Sequence, residues 1–451
     1  MAKPSGFDQF DDFIIKGIRE TRLPSVSAGL IEGGKLVHTF AHGPRDIVSE
    51  KPATAETLYG VGSITKSFTA IAVAKLVEEG KLNLDDRIAD HLPLKAKAFG
   101  GVEIHHLLSH TSGIPGLGLA EAIIFPAIGL GTRPLPVLGP GDIIPFLDDV
   151  DDWVESRPGQ KLFYWNEGYY LLGRLISKLS GRPYTRYIEE EILNPLGMKR
   201  SYFSREQIES DGNLATPYVV RGEKTTTTKV PYDCEAAGGL VTSVTDLSRF
   251  VIMMANGGEL EDRRLVDRSS LEKMETPYAG WPWPSFPGEG YGYGLEVIPD
   301  LYGRKVVGHG GSVEVYTACY LYVPRAGIGA VAMANATGAS MMRVGLYGIA
   351  SLLGQDPEGL PAVRQENILR LLEGKYATYR NILWADVKRN GSFLTLSGDD
   401  IGENLVLVPG CLERDSATFF TLSGTARMTV EFRLNREKIE MVYERYLFRK
   451  A

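Results

Sequence analysis

The chain has 451 residues, of which 43% are hydrophobic and 23% charged, an ordinary composition for a globular protein of two or three domains. Its net charge of -7 and isoelectric point near 5.7 argue against nucleic acid as a partner, because phosphate binding needs clustered basic residues. The opening stretch "MAKPSGFDQFDDF" lacks the pattern of a signal peptide, and no stretch reaches the ~18 apolar residues of a spanning helix. We therefore expect a cytoplasmic protein that binds neither nucleic acid nor membrane.

The cysteines and histidines do not indicate a disulfide framework or a metal site. Cys234, Cys319 and Cys411 are odd in number and far apart, which favours reduced core thiols. His106 and His110 are four residues apart in "HHLLSH", but the intervening positions hold no carboxylate of the kind found in a metalloprotease helix. We predict neither a metal nor another cofactor.

The first elements predict a helix laid on an antiparallel sheet, an α+β arrangement. Apolar residues recur at helical spacing in the opening segment, at Phe7, Phe10, Phe13, Ile14 and Ile18. In "SVSAGLIEGGKLVHTFAHG", two apolar runs flank Glu32-Gly33-Gly34, which predicts a β-hairpin.

The next stretch, "SITKSFTAIAVAKLVEEGKL", is apolar on most helical faces until Gly80 and predicts a buried helix. The stretches 183–198 and 238–257 also have helical patterns. In the second, Thr245-Asp246 is typical of a helix start. These helices predict a helical subdomain beside the sheet.

Two segments, 112–145 and 279–294, are irregular and rich in Gly, Pro and apolar residues. Long loops of this kind are usually functional or disordered, and the apolar content argues against disorder. They are interpreted as pocket walls or subunit contacts, with plain packing loops as the alternative.

The character of the sequence changes after residue 353, where a Pro- and Gly-containing stretch begins, and we expect a first domain over residues 1–355. Residues 356–375 have the pattern of a linker and a short helix. Residues 376–451 form strand-like runs separated by short turns, among them a hairpin at Asn390-Gly391. This pattern predicts a closed antiparallel β-barrel.

A serine and a lysine three residues apart begin the buried helix, at Ser63 and Lys66. Residues at this spacing share a helix face, and a hydrophobic surround lowers a lysine pKa, so a neutral amine can take the serine proton. The alternative is a helix cap and a surface lysine. The same spacing recurs at Ser270 and Lys273, in a short polar helix that we interpret as structural.

Further motifs follow in a fixed order: "LLSHTSGIP" (107–115), "YWN" (164–166), "ILNPLGM" (192–198), "GGLVTSVTDLSRF" (238–250) and "GHGGS" (308–312). Together with "SITK" they resemble the serine β-lactamase and penicillin-binding protein superfamily, specifically its class C, D-aminopeptidase and esterase branch. The resemblance covers about residues 8–350. A second Tyr-x-Asn, at Tyr379, lies outside this order and is not assigned a role.

The resemblance implies catalytic roles for Ser63, Lys66 and Tyr164. Ser63 matches the acylated nucleophile and Lys66 the lysine that helps to deprotonate it. Tyr164 matches a general base, which requires a tyrosine pKa depressed from ~10 by nearby cations. Asn166 matches a residue that orients the lysine and the substrate amide.

The same resemblance assigns substrate binding and the oxyanion hole to "HGGS". Gly310 and Gly311 are expected to let substrate backbone lie against the strand. The backbone N–H of Ser312 is expected to pair with that of Ser63 as an oxyanion donor. His309 stands where the family commonly has lysine, and histidine is only partly charged near neutral pH.

These features favour a serine peptidase acting on peptide substrates, including peptides with D-amino acids. A carboxylesterase or weak β-lactamase acting on small esters or amides through the same residues is the alternative. A non-catalytic peptide-binding protein is a third hypothesis. The C-terminal pattern resembles that of an archaeal CubicO-type peptidase with a lipocalin-like barrel, which implies a homo-oligomer, specifically an octamer.

Overall fold

The computed structural model describes residues 6–129, 142–232, 234–399, 401–423, 425–435 and 438–451. The chain divides into two compact units, Met1–Gln355 and Asp356–Ala451. Part of the expected loop 112–145, residues 130–141, lies outside the described residues. Among the described helices, none is both long enough and apolar enough to cross a membrane.

Unit 1 mixes helices and strands along its whole length, as an α+β fold requires. Its strands are β1 (Val26–Glu32), β2 (Lys35–His42), β3 (Pro44–Asp46), β4 (Lys51–Pro52), β5 (Tyr59–Gly60), β6 (Tyr218–Arg221), β7 (Lys224–Thr227), β8 (Val241–Thr242), β9 (Glu259–Leu260), β10 (Arg263–Arg264), β11 (Ala279–Gly280), β12 (Gly290–Tyr291), β13 (Glu296–Leu301), β14 (Arg304–Ser312), β15 (Thr317–Val323) and β16 (Ile328–Ala334). Its helices are α1 (Gly6–Thr21), α2 (Thr65–Glu78), α3 (Ile88–His91), α4 (Ile104–Leu108), α5 (Leu119–Ala127), α6 (Ile143–Phe146), α7 (Asn166–Ser180), α8 (Tyr184–Ile188), α9 (Arg205–Ser210), α10 (Glu235–Gly238), α11 (Val244–Ala255), α12 (Arg268–Met274) and α13 (Met341–Leu352).

The main sheet of unit 1 has eight antiparallel strands in the order β11-β12-β13-β14-β15-β16-β1-β2. The hairpin expected at Glu32 to Gly34 is confirmed, because β1 pairs with β2 across that turn. On its other side β1 pairs with β16, with Val26 opposite Ala334. The first strand of the unit therefore lies beside the last.

Helices cover both faces of this sheet. A Cβ at Gly29 would lie 2.8 Å from Val244 in α11, whereas a Cβ at Gly348 in α13 would lie 2.6 Å from Leu30. Successive strand residues point to opposite faces, so α11 and α13 lie on opposite sides of β1. The predicted helix on a sheet is confirmed as α1, whose Phe13 stacks on Tyr347 of α13 at 4.0 Å.

The predicted buried helix is α2, and its residues from Thr65 to Val73 are buried. Phe68 stacks on Phe250 of α11 at 4.1 Å, which fixes α2 in the core. The helix differs from the expectation in its start. Residues Gly62–Ile64 form a 3-10 turn, and the α-helix begins only at Thr65.

The remaining differences in unit 1 concern short elements. Helix α11 begins one residue earlier than Thr245-Asp246 indicates, because Ser243 is the cap and its Oγ accepts from Asp246 N–H at 3.2 Å. The segment 183–198 forms α8 followed by a π-helical turn, Glu189–Leu193. The irregular segment 279–294 contributes β11 and β12, the edge of the main sheet.

Unit 2 is a closed barrel of eight antiparallel strands preceded by a helix, as the sequence predicts. The helix is α14 (Pro361–Leu372), and the strands are β17 (Gly374–Ala377), β18 (Trp384–Asn390), β19 (Phe393–Gly398), β20 (Gly402–Leu412), β21 (Ser416–Ser423), β22 (Ala426–Asn435), β23 (Lys438–Tyr443) and β24 (Tyr446–Lys450). Residues of α14 belong to the same buried cluster as the barrel interior, including Ile368 and Leu372 beside Phe419. The helix therefore packs with the barrel.

Candidate active site

Ser63 lies where a short strand turns into the buried helix. Gly62, just before it, has φ +52, a conformation that glycine adopts without strain. A Cβ at Gly62 would also lie 2.6 Å from the backbone nitrogen of Ser312 on β14. Thr65 Oγ1 donates to Gly62 O at 2.7 Å and fixes the turn. The backbone around Ser63 is thus held against the end of β14.

Lys66 is fully buried, and its Nζ contacts three oxygens. Nζ lies 3.1 Å from Ser63 Oγ, 2.8 Å from Asn166 Oδ1 and 2.7 Å from Ala237 O. A neutral amine has two N–H donors and one lone pair. The two donors match the amide and carbonyl oxygens, which leaves the lone pair for the Ser63 hydroxyl proton.

Burial also sets the protonation of this amine. Loss of solvation lowers the pKa of Lys66 from 10.5 to about 7, and electrostatic interactions with Cys234, Glu167 and Glu121 oppose that fall. A substantial fraction of Lys66 is therefore neutral at physiological pH. The expected Ser63–Lys66 pair has both the geometry and the protonation that proton abstraction needs.

Tyr164 also lies beside Ser63, but its protonation state differs from the expectation. Its hydroxyl hydrogen-bonds to Ser63, and Lys66 Nζ lies 4.9 Å from its ring centre. Burial nevertheless raises the pKa of Tyr164 well above 10. The predicted depression is wrong for this state, because burial disfavours a phenolate more than the hydrogen bond with Ser63 favours it. Tyr164 is a neutral phenol here.

Asn166 is placed by the first turn of α7. Next to it, the side chain of Glu167 is buried and accepts a hydrogen bond from Leu119 N–H at 2.9 Å. This contact ties the start of α7 to the start of α5. Asn166 is consequently held in position to accept from Lys66.

The end of β14 carries the expected "HGGS" residues to the nucleophile. A Cβ at Gly311 would lie 1.9 Å from Val61 O and 3.1 Å from Ser63 N. Glycine is therefore required at position 311 because two backbone segments of the protein touch there. This requirement is separate from any contact with substrate. This close approach brings the backbone nitrogens of Ser63 and Ser312 into one region, as an oxyanion hole requires.

His309 is buried and neutral. Its Nδ1–H donates to Gly310 O, and its Nε2 lies 2.8 Å from Tyr291 Oη, so Nε2 accepts the tyrosine proton. Burial, together with the charge of Lys66, lowers the pKa of His309 to about 3. Nearby Glu296, whose Oε1 is 3.6 Å from His309 Nδ1, has a pKa raised by burial to about 7. The position that commonly holds lysine in the family carries no fixed positive charge.

An aromatic cluster that the sequence analysis missed surrounds these residues. The ring of His110 lies 4.2 Å from that of Tyr164, and Tyr291 lies 4.7 Å from His110. His110 Nδ1 accepts from Trp165 N–H at 3.0 Å, which fixes the residue before Asn166. The repeated "YGYG" at 291–294 could have indicated Tyr291, but no periodicity links it to the motifs.

Two cavities meet the catalytic residues. The larger, of about 860 Å³, is lined by Tyr164, by residues 159–163 and by residues 278–283, including Trp281 and Trp283. The smaller, of about 70 Å³, is lined by Ser63, Asn166 and residues of α5. The described parts of both irregular segments therefore form pocket walls, one of the two interpretations made for them.

The two alternative motif matches lie elsewhere. Lys273 is exposed on α12, and Tyr379 in unit 2 is 75% exposed. Burial is what lowers the pKa of Lys66, and both of these alternative residues are exposed. Neither match therefore reproduces the buried setting of the candidate site.

One group of side chains in unit 1 could hold a metal ion. Ligand atoms of Glu103, His105 and His106 lie within 4.8 Å of one another. His106 Nδ1 already accepts from Glu103 N–H at 3.0 Å. His110 follows α4 with φ +58 and does not share its face, so the His106–His110 spacing does not form the pair considered from the sequence.

Cys234 and Cys319 are buried cysteines outside any disulfide, as expected. Cys411 is a free thiol but is exposed on β20, so the expectation of a core position is wrong for that residue. The sequence around it alternates between two faces, and Cys411 falls on the outer one.

Comparison with known proteins identifies the class. Residues 10–353 match the family model described as Beta-lactamase, and the chain belongs to that family. Residues 357–449 match the Pab87 octamerisation domain. The resemblance drawn from the motifs is thereby confirmed.

Three relatives show how far the likeness extends. The octameric penicillin-binding protein homologue from Pyrococcus abyssi is 40% identical, with a TM-score of 0.91 over 98% of this chain and 100% of that chain. Protein flp of Staphylococcus aureus (strain MW2) is 26% identical over 72% of this chain, which spans 62% of the length of that relative. A D-stereospecific amidohydrolase from Streptomyces sp., 24% identical with a TM-score of 0.61 over 77% of this chain and 99% of that chain, shares the fold.

Proposed function

We propose that unit 1 is a serine peptidase that forms an acyl-enzyme on Ser63, with peptides containing D-amino acids as its substrate class. The observation that carries the proposal is the 3.1 Å contact between Lys66 Nζ and Ser63 Oγ inside a buried site. Membership of a family of serine hydrolases supports the reaction type. The motif resemblance supports the D-residue preference.

In the first step, neutral Lys66 takes the Ser63 proton as Oγ attacks the substrate carbonyl carbon. The oxyanion that forms is stabilised by the backbone N–H groups of Ser63 and Ser312. Asn166 and Ala237 O accept hydrogen bonds from the new ammonium group, so the charge gained by Lys66 is shared with two oxygens.

In the second step, the C–N bond breaks and the leaving amine needs a proton. Tyr164 supplies its phenolic proton to the amine, and the resulting phenolate takes a proton from the Lys66 ammonium group, which becomes a neutral amine again. A neutral phenol suits this role because it carries the proton that the amine lacks. Water then hydrolyses the ester on Ser63 and restores the enzyme.

Labelling with a fluorophosphonate followed by intact-mass spectrometry tests the nucleophile. We expect one adduct on the wild type and none on Ser63→Ala. Ser270→Ala is the matched control, because it removes the serine of the second Ser-x-x-Lys pair, and it should label as the wild type does. A label that persists in Ser63→Ala would contradict the proposal.

Matched amide and ester substrates separate the peptidase from the carboxylesterase. We expect cleavage of a D-alanyl anilide and of the corresponding ester, both abolished in Ser63→Ala. Cleavage of esters alone would favour the carboxylesterase. Labelling without turnover of either class would favour the binding protein.

We also propose that the chain assembles as a homo-oligomer, specifically an octamer, through unit 2. The match of residues 357–449 to an octamerisation domain supports this assembly. Unit 2 also exposes large apolar side chains, among them Tyr379 at 75%, Ile382 at 70% and Leu422 at 67%. Exposed apolar surface of this kind is typical of subunit interfaces.

A further inference from the structure

A carboxyl group of the protein lies on the open edge of β14. Pairing between β13 and β14 ends where Glu296 stands opposite Gly308, so residues 309–312 extend beyond the neighbouring strand. The side chain of Glu296 reaches past that point, and its Oε1 accepts a hydrogen bond from Gly310 N–H at 3.2 Å. An edge N–H that a substrate backbone would otherwise meet is therefore already bound to the protein.

This carboxyl group faces the same edge as the proposed oxyanion hole. Backbone N–H groups of alternate residues in a strand point to the same side and lie about 7 Å apart. The N–H of Gly310 points to Glu296, so the N–H of Ser312 points to that edge as well. A substrate carbonyl oxygen bound at Ser312 therefore has the Glu296 carboxyl group about two residues away along the edge.

The position of Tyr164 shows which part of the substrate approaches Glu296. In the proposed mechanism Tyr164 protonates the leaving amine, so it lies on the leaving-group side of the scissile bond. Its ring centre lies 6.4 Å from that of His309 and 6.0 Å from that of Tyr291. Glu296 is close enough that its charge raises the pKa of Tyr164. The residue that follows the scissile bond therefore lies on the Glu296 side.

One oxygen of the Glu296 carboxyl group is available to that residue. The side chain is 20% exposed. In the part of the chain that the structure describes, Oε1 holds Gly310 N–H, whereas Oε2 has no hydrogen bond and is not among the unpaired atoms enclosed by the protein. Oε2 therefore reaches solvent.

The surroundings leave this group able to ionise near neutral pH. Burial raises the pKa of Glu296 to about 7, and the charge of Glu289 adds to the rise. Its ion-pair partner among the described residues is His309, with 3.6 Å between Oε1 and Nδ1, and that imidazole is neutral. On the neighbouring helix α13, the guanidinium of Arg343 lies over the ring of Phe13. The other titratable groups that its charge affects are uncharged at neutral pH: Tyr164, Tyr291, Cys319 and Tyr320.

We propose that Glu296 selects substrates by the charge on the residue after the scissile bond, excluding a free carboxylate there and admitting an amide. This inference rests on the proposed peptidase function and adds the class of leaving group. The ionised side chain and a substrate carboxylate would repel each other in a partly desolvated site, and the neutral His309 cannot offset that repulsion. The enzyme therefore cleaves peptides that continue beyond this residue or end in an amide, and does not remove a single C-terminal residue.

Two dipeptides that differ only at this group test the inference: D-alanyl-D-alanine and D-alanyl-D-alaninamide, with the L-alanyl pair in parallel. Mass spectrometry follows the release of alanine or alaninamide. At pH 8 we expect the full-length wild type to cleave the amide with kcat/KM at least about tenfold above that for the free acid, because the two carboxylates repel. At pH 6 about nine-tenths of Glu296 is protonated, so the ratio of the two kcat/KM values should fall toward one.

This ratio separates Glu296 from the catalytic base. Protonation of Lys66, whose pKa is about 7, lowers the rates on both substrates at pH 6. Both substrates react through the same neutral amine and carry the same N-terminal group, so these contributions cancel in the ratio. A change in the ratio therefore reports a group that senses the substrate carboxylate.

Glu296→Gln removes the charge but keeps an oxygen that can accept from Gly310 N–H. We expect it to retain activity on the amide and to give a ratio near one at both pH values. Glu314→Gln is the matched control, because Glu314 is an exposed carboxylate that lines the small cavity beside Ser63. It should keep the wild-type ratio and its pH dependence. Thermal unfolding of both variants checks the fold, and the wild-type pH dependence tests the inference without any substitution.

The outcomes distinguish this inference from the proposed function. Equal cleavage of acid and amide by the wild type at pH 8, or a preference for the acid, would overturn the inference and leave the peptidase intact. A preference for the amide that persists in Glu296→Gln, or that is unchanged at pH 6, would do the same. So would cleavage of the D-alanyl anilide with neither dipeptide cleaved. Loss of anilide cleavage and of the fluorophosphonate label on Ser63 would overturn both proposals together.

Discussion

At the residue scale, the chemistry of the candidate site depends on the burial of one lysine. The Ser63–Lys66 spacing predicts their contact, because residues three apart share a helix face. The oxygen atoms that hold Lys66 come from Asn166 and Ala237, which are distant in sequence. Burial lowers the pKa of Lys66 to about 7, so the site keeps a neutral amine at a cost in folding free energy.

This cost makes stability depend on pH in a defined direction. Between pH 7 and the unfolded pKa of 10.5, the unfolded chain binds a proton on Lys66 that the folded chain does not. The free energy of unfolding should therefore rise with pH, by about 1.4 kcal/mol per unit from this group. Denaturant unfolding at pH 7.5, 8 and 9 should show this rise in the wild type and its loss in Lys66→Met.

Lys273→Met is the control for this measurement, because Lys273 is exposed on α12 and belongs to the second Ser-x-x-Lys pair. It should keep the wild-type slope. An identical slope in wild type and Lys66→Met would show that burial does not depress this pKa. In the wild type, kcat/KM should rise with pH around the Lys66 pKa of about 7, since the neutral amine is the proposed base.

The sequence predicts which residues form this site better than it predicts the protonation states of those residues. Ser63, Lys66, Tyr164 and Asn166 are brought together as the motifs indicate. The direction of the Tyr164 pKa could not be predicted, because it depends on how strongly residues far along the chain desolvate Tyr164 itself. His309 illustrates the same limit: its identity predicts partial charge, and its burial beside Tyr291 removes that charge.

At the scale of elements, the site depends on the contact between β14 and the turn that carries Ser63. Gly311 and Gly62 are the points of closest approach, where any Cβ would overlap backbone atoms of the facing segment. The two proposed oxyanion donors, the backbone N–H groups of Ser63 and Ser312, are fixed relative to each other by this contact. A small change in the distance between β14 and the turn would separate them.

The two adjacent glycines of β14 provide a matched test. A Cβ at Gly311 would lie 1.9 Å from Val61 O, whereas at Gly310 the nearest atoms are 3.6 Å away. Gly311→Ala should therefore lose the proposed peptidase activity and about 2–3 kcal/mol of stability through overpacking. Gly310→Ala should unfold at the wild-type temperature in calorimetry. Wild-type stability of Gly311→Ala would contradict the close approach.

Elements with a strong local pattern were predicted well. The hairpin at Gly33-Gly34, the apolar helix α2 and the barrel strands around Asn390-Gly391 all follow from periodicity and turn residues. The two-residue strands β11 and β12 were not predicted, because each is too short to show an alternating pattern and their own segment is rich in Pro and Gly. The 3-10 turn at Ser63 was missed for a similar reason, since Ser312 holds it from outside.

At the scale of the whole molecule, the proposed octamer makes a direct prediction. Light scattering of the wild type should give about eight times the chain mass of 49.5 kDa. Ile382→Arg with Leu422→Arg should lower that mass, because a charge buried at an apolar interface is costly. Val48→Arg, at an 88% exposed position of unit 1, is the control and should leave it unchanged. A wild-type mass of 49.5 kDa would refute the assembly.

The pairing of β1 with β16 also bears on how the protein is made. Val26 and Ala334 lie opposite each other, so the centre of the sheet cannot close until almost all of unit 1 has left the ribosome. β14 pairs with β13 and β15, and β15 pairs on its other side with β16. A nascent chain therefore carries Ser63 long before it has the strand that completes the proposed oxyanion hole. We expect a hydrolase built in this way to stay inert during its own synthesis.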